Sequence, residues 1–150
     1  MSNILDPKKI YLAQTDTTVG FLSQDSSKLA NIKNRPPSKP FLIAVSSFSV
    51  LKHFVRVPKK HKKRVRRSKR STFIYPNGKA LRVIKSTEHY RFLKKFGWFY
   101  STSANESGKR FERHWAVQKA DIVVEDRRGL YESKPSQIFR LSQSKLKKVR

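Results

Sequence analysis

The chain has 150 residues, with 35 Lys and Arg against 10 Asp and Glu, and no cysteine. A formal net charge of +25 favours phosphate-rich partners, and the lack of thiols excludes a disulfide framework, a thiolate metal site and a cysteine nucleophile. With 37% hydrophobic and 11% aromatic residues it carries the apolar groups that a disordered polycation lacks, and its length suits one domain spanning 1–150.

Lys9 to Gln14 reads as a strand, and Thr15 to Gly20 as a polar turn whose side chains bond their own backbone. Asp25 or Ser26 is placed to cap a short helix through Asn34, which Pro36 and Pro37 stop. The apolar run Phe41 to Val45 predicts a strand buried on both faces, followed by a helix capped by Ser46 or Ser47 and reaching about Phe54. Residues 56–70 hold ten cations and no acid, so mutual repulsion predicts an exposed, mobile loop. Ser71–Tyr75 and Lys79–Val83 flank Pro76-Asn77-Gly78, where Asn-Gly supplies the positive φ angles of a tight hairpin turn.

Ser86 or Thr87 starts a helix with Tyr90, Leu93 and Phe96 on one side and Gly97 at its end. Trp98 to Tyr100 re-enters the sheet and runs into a loop of small polar residues over 101–108. Asp121–Glu125 and Gln137–Leu141 predict later strands, separated by turn chemistry at Gly129, Ser133 and Pro135. The rhythm is that of an α/β protein, a single-domain twisted mixed sheet flanked by helices. Met1 to Lys9 has no apolar core of signal-peptide type, and no apolar run is long enough to cross a bilayer, so the expected compartment is the cytoplasm with no membrane partner.

The familiar signatures are missing. Ser107-Gly108-Lys109 is similar to the tail of a P-loop, but Ser103 and Arg110 stand where that loop needs a glycine and a hydroxyl residue. No glycines are spaced for a dinucleotide fingerprint, and the four histidines have no metal-ligand spacing. What remains is a set of polar residues near element ends: Thr15-Asp16-Thr17, Lys33, Arg35, Arg82, Ser101, Ser103 and Asn105. Cations of this kind grip phosphates, and the hydroxyls and amide orient a small polar molecule, which describes catalysis by positioning and electrostatics without a nucleophile.

The order Gln14-Thr15-Asp-Thr17-Thr-Val-Gly20, Lys33-Asn-Arg35-Pro-Pro, Ala80-Leu-Arg82-Val and Ser101-Thr-Ser-Ala-Asn-Glu-Ser-Gly108 resembles the pattern of the YrdC-like family, which includes threonylcarbamoyl-AMP synthases. The last stretch is the family's strongest signature. The resemblance implies a YrdC/RibB-like twisted sheet with a concave basic cavity. It implies a synthase that joins L-threonine, bicarbonate and ATP into threonylcarbamoyl-AMP and pyrophosphate, for a downstream threonylcarbamoyl-transferase complex that modifies tRNA.

Residue by residue, the resemblance assigns Thr17, Arg82, Ser101 and Ser136 to L-threonine. It assigns Lys33, Arg35, Ser103 and Asn105 to the nucleotide. ATP would be a substrate, with Mg2+ carried by the nucleotide and no metal held by protein side chains. Gln14 stands where the family usually has proline and Ala44 where many members have histidine, while Thr72 is retained from a family stretch that is otherwise lost. The alternative reading is a non-catalytic YrdC-like protein that binds tRNA or double-stranded RNA through Lys59, Lys60, Lys62, Lys63, Arg64, Arg66 and Arg67. A ribosome-associated structural protein would explain charge and size but none of the ordered motifs.

Overall fold

The computed structural model describes residues 6–36 and 38–150; Pro37 and the first five residues of the expected domain lie outside them. Nine strands among the described residues form one mixed sheet in the order β7-β1-β2-β6-β3-β5-β4-β8-β9. In chain order they are β1 Tyr11–Gln14, β2 Val19–Ser23, β3 Leu42–Val45, β4 Ser71–Ile74, β5 Ala80–Val83, β6 Trp98–Ser103, β7 Ile122–Val124, β8 Gln137–Leu141 and β9 Leu146–Lys148. The pairs β1·β7, β3·β5 and β4·β8 are parallel, and the others antiparallel.

Five helices flank the sheet: α1 Ser26–Ile32, α2 Phe48–Leu51, α3 Lys62–Arg67, α4 Thr87–Leu93 and α5 Arg113–Lys119. Side-chain alternation along the strands decides which face each helix covers. Val19, Phe21, Ile43, Val45, Phe73 and Leu81 point to one face, where they pack against Leu29 and Ala30 of α1, Ala116 of α5, Leu51 of α2 and Val65 of α3. Tyr11, Ala13, Leu22, Ala44 and Phe99 point to the other face and meet only α4, through Leu93 and Phe92. One end of this second face is therefore roofed by a helix, and the rest is free to form a hollow.

Local chemistry explains the elements that match expectation. The Asp25 carboxylate accepts from the Lys28 amide to cap α1, and Ser47 Oγ accepts from the Val50 amide to cap α2. The β4–β5 hairpin turns through Pro76-Asn77-Gly78, with the Gly78 amide donating to Tyr75 O at 2.8 Å. Here only Gly78 takes a positive φ, at 86°, so this is a proline-led turn closed by a left-handed glycine rather than a two-residue Asn-Gly turn.

Four parts of the chain differ from the sequence reading. Val19–Ser23, whose first two residues fall in the stretch read as polar turn, is strand β2 at the centre of one half of the sheet. The basic run is not an extended loop: Lys59–His61 forms a 3-10 turn and Lys62–Arg67 forms α3. Val57, His61 and Val65 are buried, and His61 Nε2 lies 3.0 Å from Ser142 O, so apolar burial along one side outweighs repulsion between cations that remain in solvent. Helix α5 is set by Glu112, whose carboxylate accepts from the His114 and Trp115 amides. The cationic strand β9 closes the sheet edge beside β8. Among the described residues no helix is long and apolar enough to cross a membrane.

Candidate functional site

Residues two apart on neighbouring strands share a face, and that rule assembles the site. Ser101 and Ser103 on β6, Thr72 and Ile74 on β4, and Ala80 and Arg82 on β5 line one cavity of about 370 Å³. Gly20 of β2 and Leu42 of β3 complete the floor. Register links them directly, since Gly20 pairs with Ser103 and Leu42 with Ser101. Thr15 and Thr17 from the β1–β2 turn, Arg35 beyond α1, Ser136 before β8 and Arg150 after β9 form the walls.

Arg82 is almost wholly buried and is held on two sides. Its Nε and Nη2 lie 3.2 and 3.1 Å from Asp16 Oδ1, and its Nη1 donates to Thr72 Oγ1 at 3.2 Å. Of the five N–H donors of a guanidinium, two remain for a ligand. Thr72 Oγ1 lies 2.9 Å from Ser136 Oγ, and Arg150 Nε donates to Ser136 O at 3.1 Å. Burial, and next the proximity of Arg82, push the Arg150 guanidinium pKa down. Two cations held this close, facing a hollow whose lining has no carboxylate, favour an anion between them.

Arg35 forms the opposite wall. Its Nη2 donates to Pro40 O at 2.7 Å and its guanidinium stacks 4.4 Å from the centroid of the Phe41 ring. The buried Nε has no partner, so a donor is left for a bound group. Thr15 shapes the turn beside it: its Oγ1 donates to Thr18 O at 2.6 Å and accepts from the Thr17 amide at 3.1 Å.

Thr17, Arg35, Arg82, Ser101, Ser103 and Ser136 thus meet in one cavity. Asn105 lines an adjoining hollow of about 270 Å³ that shares Ser103 and Arg150. Lys33 lines neither and is 7% exposed. Its ammonium donates to Ser103 O at 3.0 Å, to Asn105 O and to Asn105 Oδ1, while Ser107 Oγ donates back to Lys33 O at 2.7 Å. Lys33 is a tie between α1 and the 103–109 loop, and burial, then Arg35, lower its pKa to about 8.

Of the 56–70 run, Lys69 and Arg70 border a hollow that shares Thr17 and Pro135 with the cavity, and the other basic residues lie elsewhere. Lys59 and Lys62 line a separate cavity, Arg66 stacks 4.5 Å from the centroid of Phe48, and Lys60 Nζ donates to Ser144 O at 2.9 Å. Lys63, Arg64 and Arg67 are exposed on α3. The sequence reading placed Thr15 among the candidate residues without a ligand role, and did not assign Thr72 or Arg150 to the site. Thr72 had a signal, as the one retained residue of a divergent stretch, whereas Arg150 lies far from every motif and reaches the cavity only because β9 folds back on β8.

Comparison with known proteins agrees with this architecture. The P. abyssi Sua5 structure complexed with L-threonine superposes with a TM-score of 0.79 at 18% identity, over 95% of this chain and 50% of that one. E. coli YciO gives a TM-score of 0.73 at 15% identity, over 95% of this chain and 82% of its own. A full-length HypF in its phosphate- and nucleotide-bound form gives 0.74 at 15% identity, over 95% of this chain and 26% of its own. The chain therefore spans about half the length of the Sua5 protein it matches. No curated protein sequence matches it. The sequence model of the Sua5/YciO/YrdC family, described as telomere recombination, matches residues 3–150, and the chain belongs to that family.

Proposed function

We propose that the chain is an L-threonylcarbamoyladenylate synthase that forms threonylcarbamoyl-AMP from L-threonine, bicarbonate and ATP for tRNA modification. The observation that carries this reading is the convergence of Thr17, Arg35, Arg82, Ser101, Ser103 and Ser136 on one concave sheet face. The free donors of Arg82 suit the threonine carboxylate in the bidentate manner of guanidinium groups. The hydroxyls of Thr17, Ser101 and Ser136 suit its amino and hydroxyl groups. Arg35, with its unpartnered Nε, and Ser103 on the same cavity lining suit the phosphates of a nucleotide. Arg150 adds a third cation, and Asn105 and Lys33 hold the loop that carries Ser103. A Sua5 that binds L-threonine and a HypF that binds nucleotide share the fold, which supports the choice of ligands.

In the reaction the threonine amine bonds to the carbon of bicarbonate, and water leaves, giving a carbamate. A carbamate oxygen then attacks the α-phosphorus, and the bond to the bridging oxygen breaks as pyrophosphate departs with the electron pair. No side chain need act as nucleophile; the arginines neutralise charge that develops on the phosphates. Magnesium enters as part of the nucleotide substrate.

The test is pyrophosphate release from ATP that requires both L-threonine and bicarbonate. Release independent of threonine, or none from folded protein, overturns the synthase reading. RNA binding that persists without this activity would then favour the non-catalytic alternative.

A further inference from the structure

A second cavity, of about 740 Å³, lies on the opposite side of the sheet, between the segment that follows α2 and the β4–β5 turn. It shares no lining residue with the first. The two sites are nevertheless neighbours along one hairpin: Ile74 and Ala80 border the first, and Tyr75 and Asn77 border the second.

Three features give this cavity a chemistry. Its rim carries Lys52, Arg56, Lys59 and Lys62, all exposed, and none pairs with a carboxylate among the described residues. No acid occurs anywhere in 26–87 or 133–150, so every strand from β3 to β9 in the sheet order comes from acid-free sequence. Part of the wall is apolar, with Phe54 half-buried beside Val57 and Pro58, while His53, Asn77 and Gln143 add polar groups. Tyr75, 2% exposed, borders the cavity; its buried hydroxyl has no hydrogen-bond partner, and burial raises its pKa.

A cationic rim beside an aromatic side chain matches a nucleotide, with the phosphate on the rim and the ring against Phe54. The rim is continuous with α3, whose Lys63, Arg64 and Arg67 remain in solvent, so the cations extend beyond the reach of a single phosphate. We propose that this cavity takes an unpaired nucleotide of an RNA strand, with the neighbouring phosphates running along α3. It differs from a duplex-binding surface because the ring, and not only the backbone, is held. The site is independent of the synthase reading and stands or falls without it.

The test measures binding of a fluorescent single-stranded RNA oligonucleotide to the full chain, with a blunt RNA duplex and a mononucleotide as competitors. Lys59→Gln/Lys62→Gln is expected to weaken single-strand binding about tenfold and to flatten the slope of log K against log salt by about 1.4, two contacts at roughly 0.7 each. The control, Lys94→Gln/Lys95→Gln just after α4 on the other face of the sheet, removes the same charge away from the cavity and is expected to change affinity less than about twofold. Trp98 sits edge-on to Phe54 with ring centroids 5.2 Å apart, so RNA should quench tryptophan emission, and the quenching should survive Trp115→Phe. Equal loss in both double variants, or duplex bound as tightly as single strand, overturns the proposal. Mononucleotide that displaces the oligonucleotide at equal concentration would show a free-nucleotide site and overturn the RNA assignment.

Discussion

Asp16 accepts from both Nε and Nη2 of Arg82, at 3.2 and 3.1 Å, and both side chains are almost fully buried. The pair fixes the guanidinium plane at the cavity wall, and the Arg82 contact to Thr72 extends that order to Ser136. Removing one partner of such a pair leaves an uncompensated charge. Asp16→Asn is therefore expected to cost about 3 kcal/mol in urea unfolding. Unchanged stability would show that water already shares the pair.

Arg82→Lys keeps the charge but loses the planar fork. Calorimetry should show L-threonine binding weakened at least about tenfold, with the urea midpoint lowered less than in Asp16→Asn. Retained affinity would place the threonine carboxylate on another residue.

His89 of α4 is 1% exposed and neither ring nitrogen has a partner. Burial holds its pKa down to about 4, while the facing charges of Asp16, Arg82, Arg128 and Asp126 largely offset one another. The unfolded chain binds this proton near pH 6.5 and the folded chain only near 4, so stability falls as pH drops through that window, by up to about 3 kcal/mol. His89→Leu should be at least as stable as the parent at pH 7 and lose less on acidification to pH 4.5. Equal acid sensitivity in both proteins would assign the loss to other groups.

Gly20 lies in the cavity floor with no room for a side chain. A Cβ there would sit 3.0 Å from the backbone oxygen of Thr102 and 3.2 Å from Thr15 Cγ2. The carbonyl belongs to the β2–β6 ladder and cannot retreat without breaking it. Gly20→Ala should lower stability by about 1–3 kcal/mol and weaken threonine binding together. Loss of binding at unchanged stability would show that the floor shifts at no cost.

Lys33→Met removes the tie on the Ser103 and Asn105 oxygens. Hydrogen exchange should accelerate in 103–109 while β3 and β5 stay protected. Protection retained in that loop would make Ser107 and Asn105 its main anchors.

Much of this was legible in the chain because local signals coincided with tertiary demand. Asp25 and Ser47 cap their helices, Pro76 and Gly78 turn their hairpin, and Phe41 to Val45 had no polar position to suggest anything but a buried strand. Strand β2 was hidden because Val19–Ser23 follows a threonine-rich turn and contains a glycine that only the cavity floor explains. Helix α3 was hidden because the charge of the run masks the His61 and Val65 pair, four residues apart, that anchors it. The site motifs were readable, but Lys33 was assigned to phosphate contact. A lysine that binds carbonyl oxygens and one that binds a ligand carry the same sequence signature. Arg150 became visible only with the strand pairing at the sheet edge.

The uneven distribution of carboxylates along the sheet has a mechanical outcome. With the acids gathered around the β7–β1–β2 flank and none in the chain that builds β8 and β9, the molecule carries a large electric moment along its strand order. In the field of a polyanion it is turned before contact, so that the β9 flank arrives first and the less basic flank trails. Most encounters that begin in a random attitude are thereby corrected in flight, and raising the ionic strength removes the torque before it removes the attraction at contact.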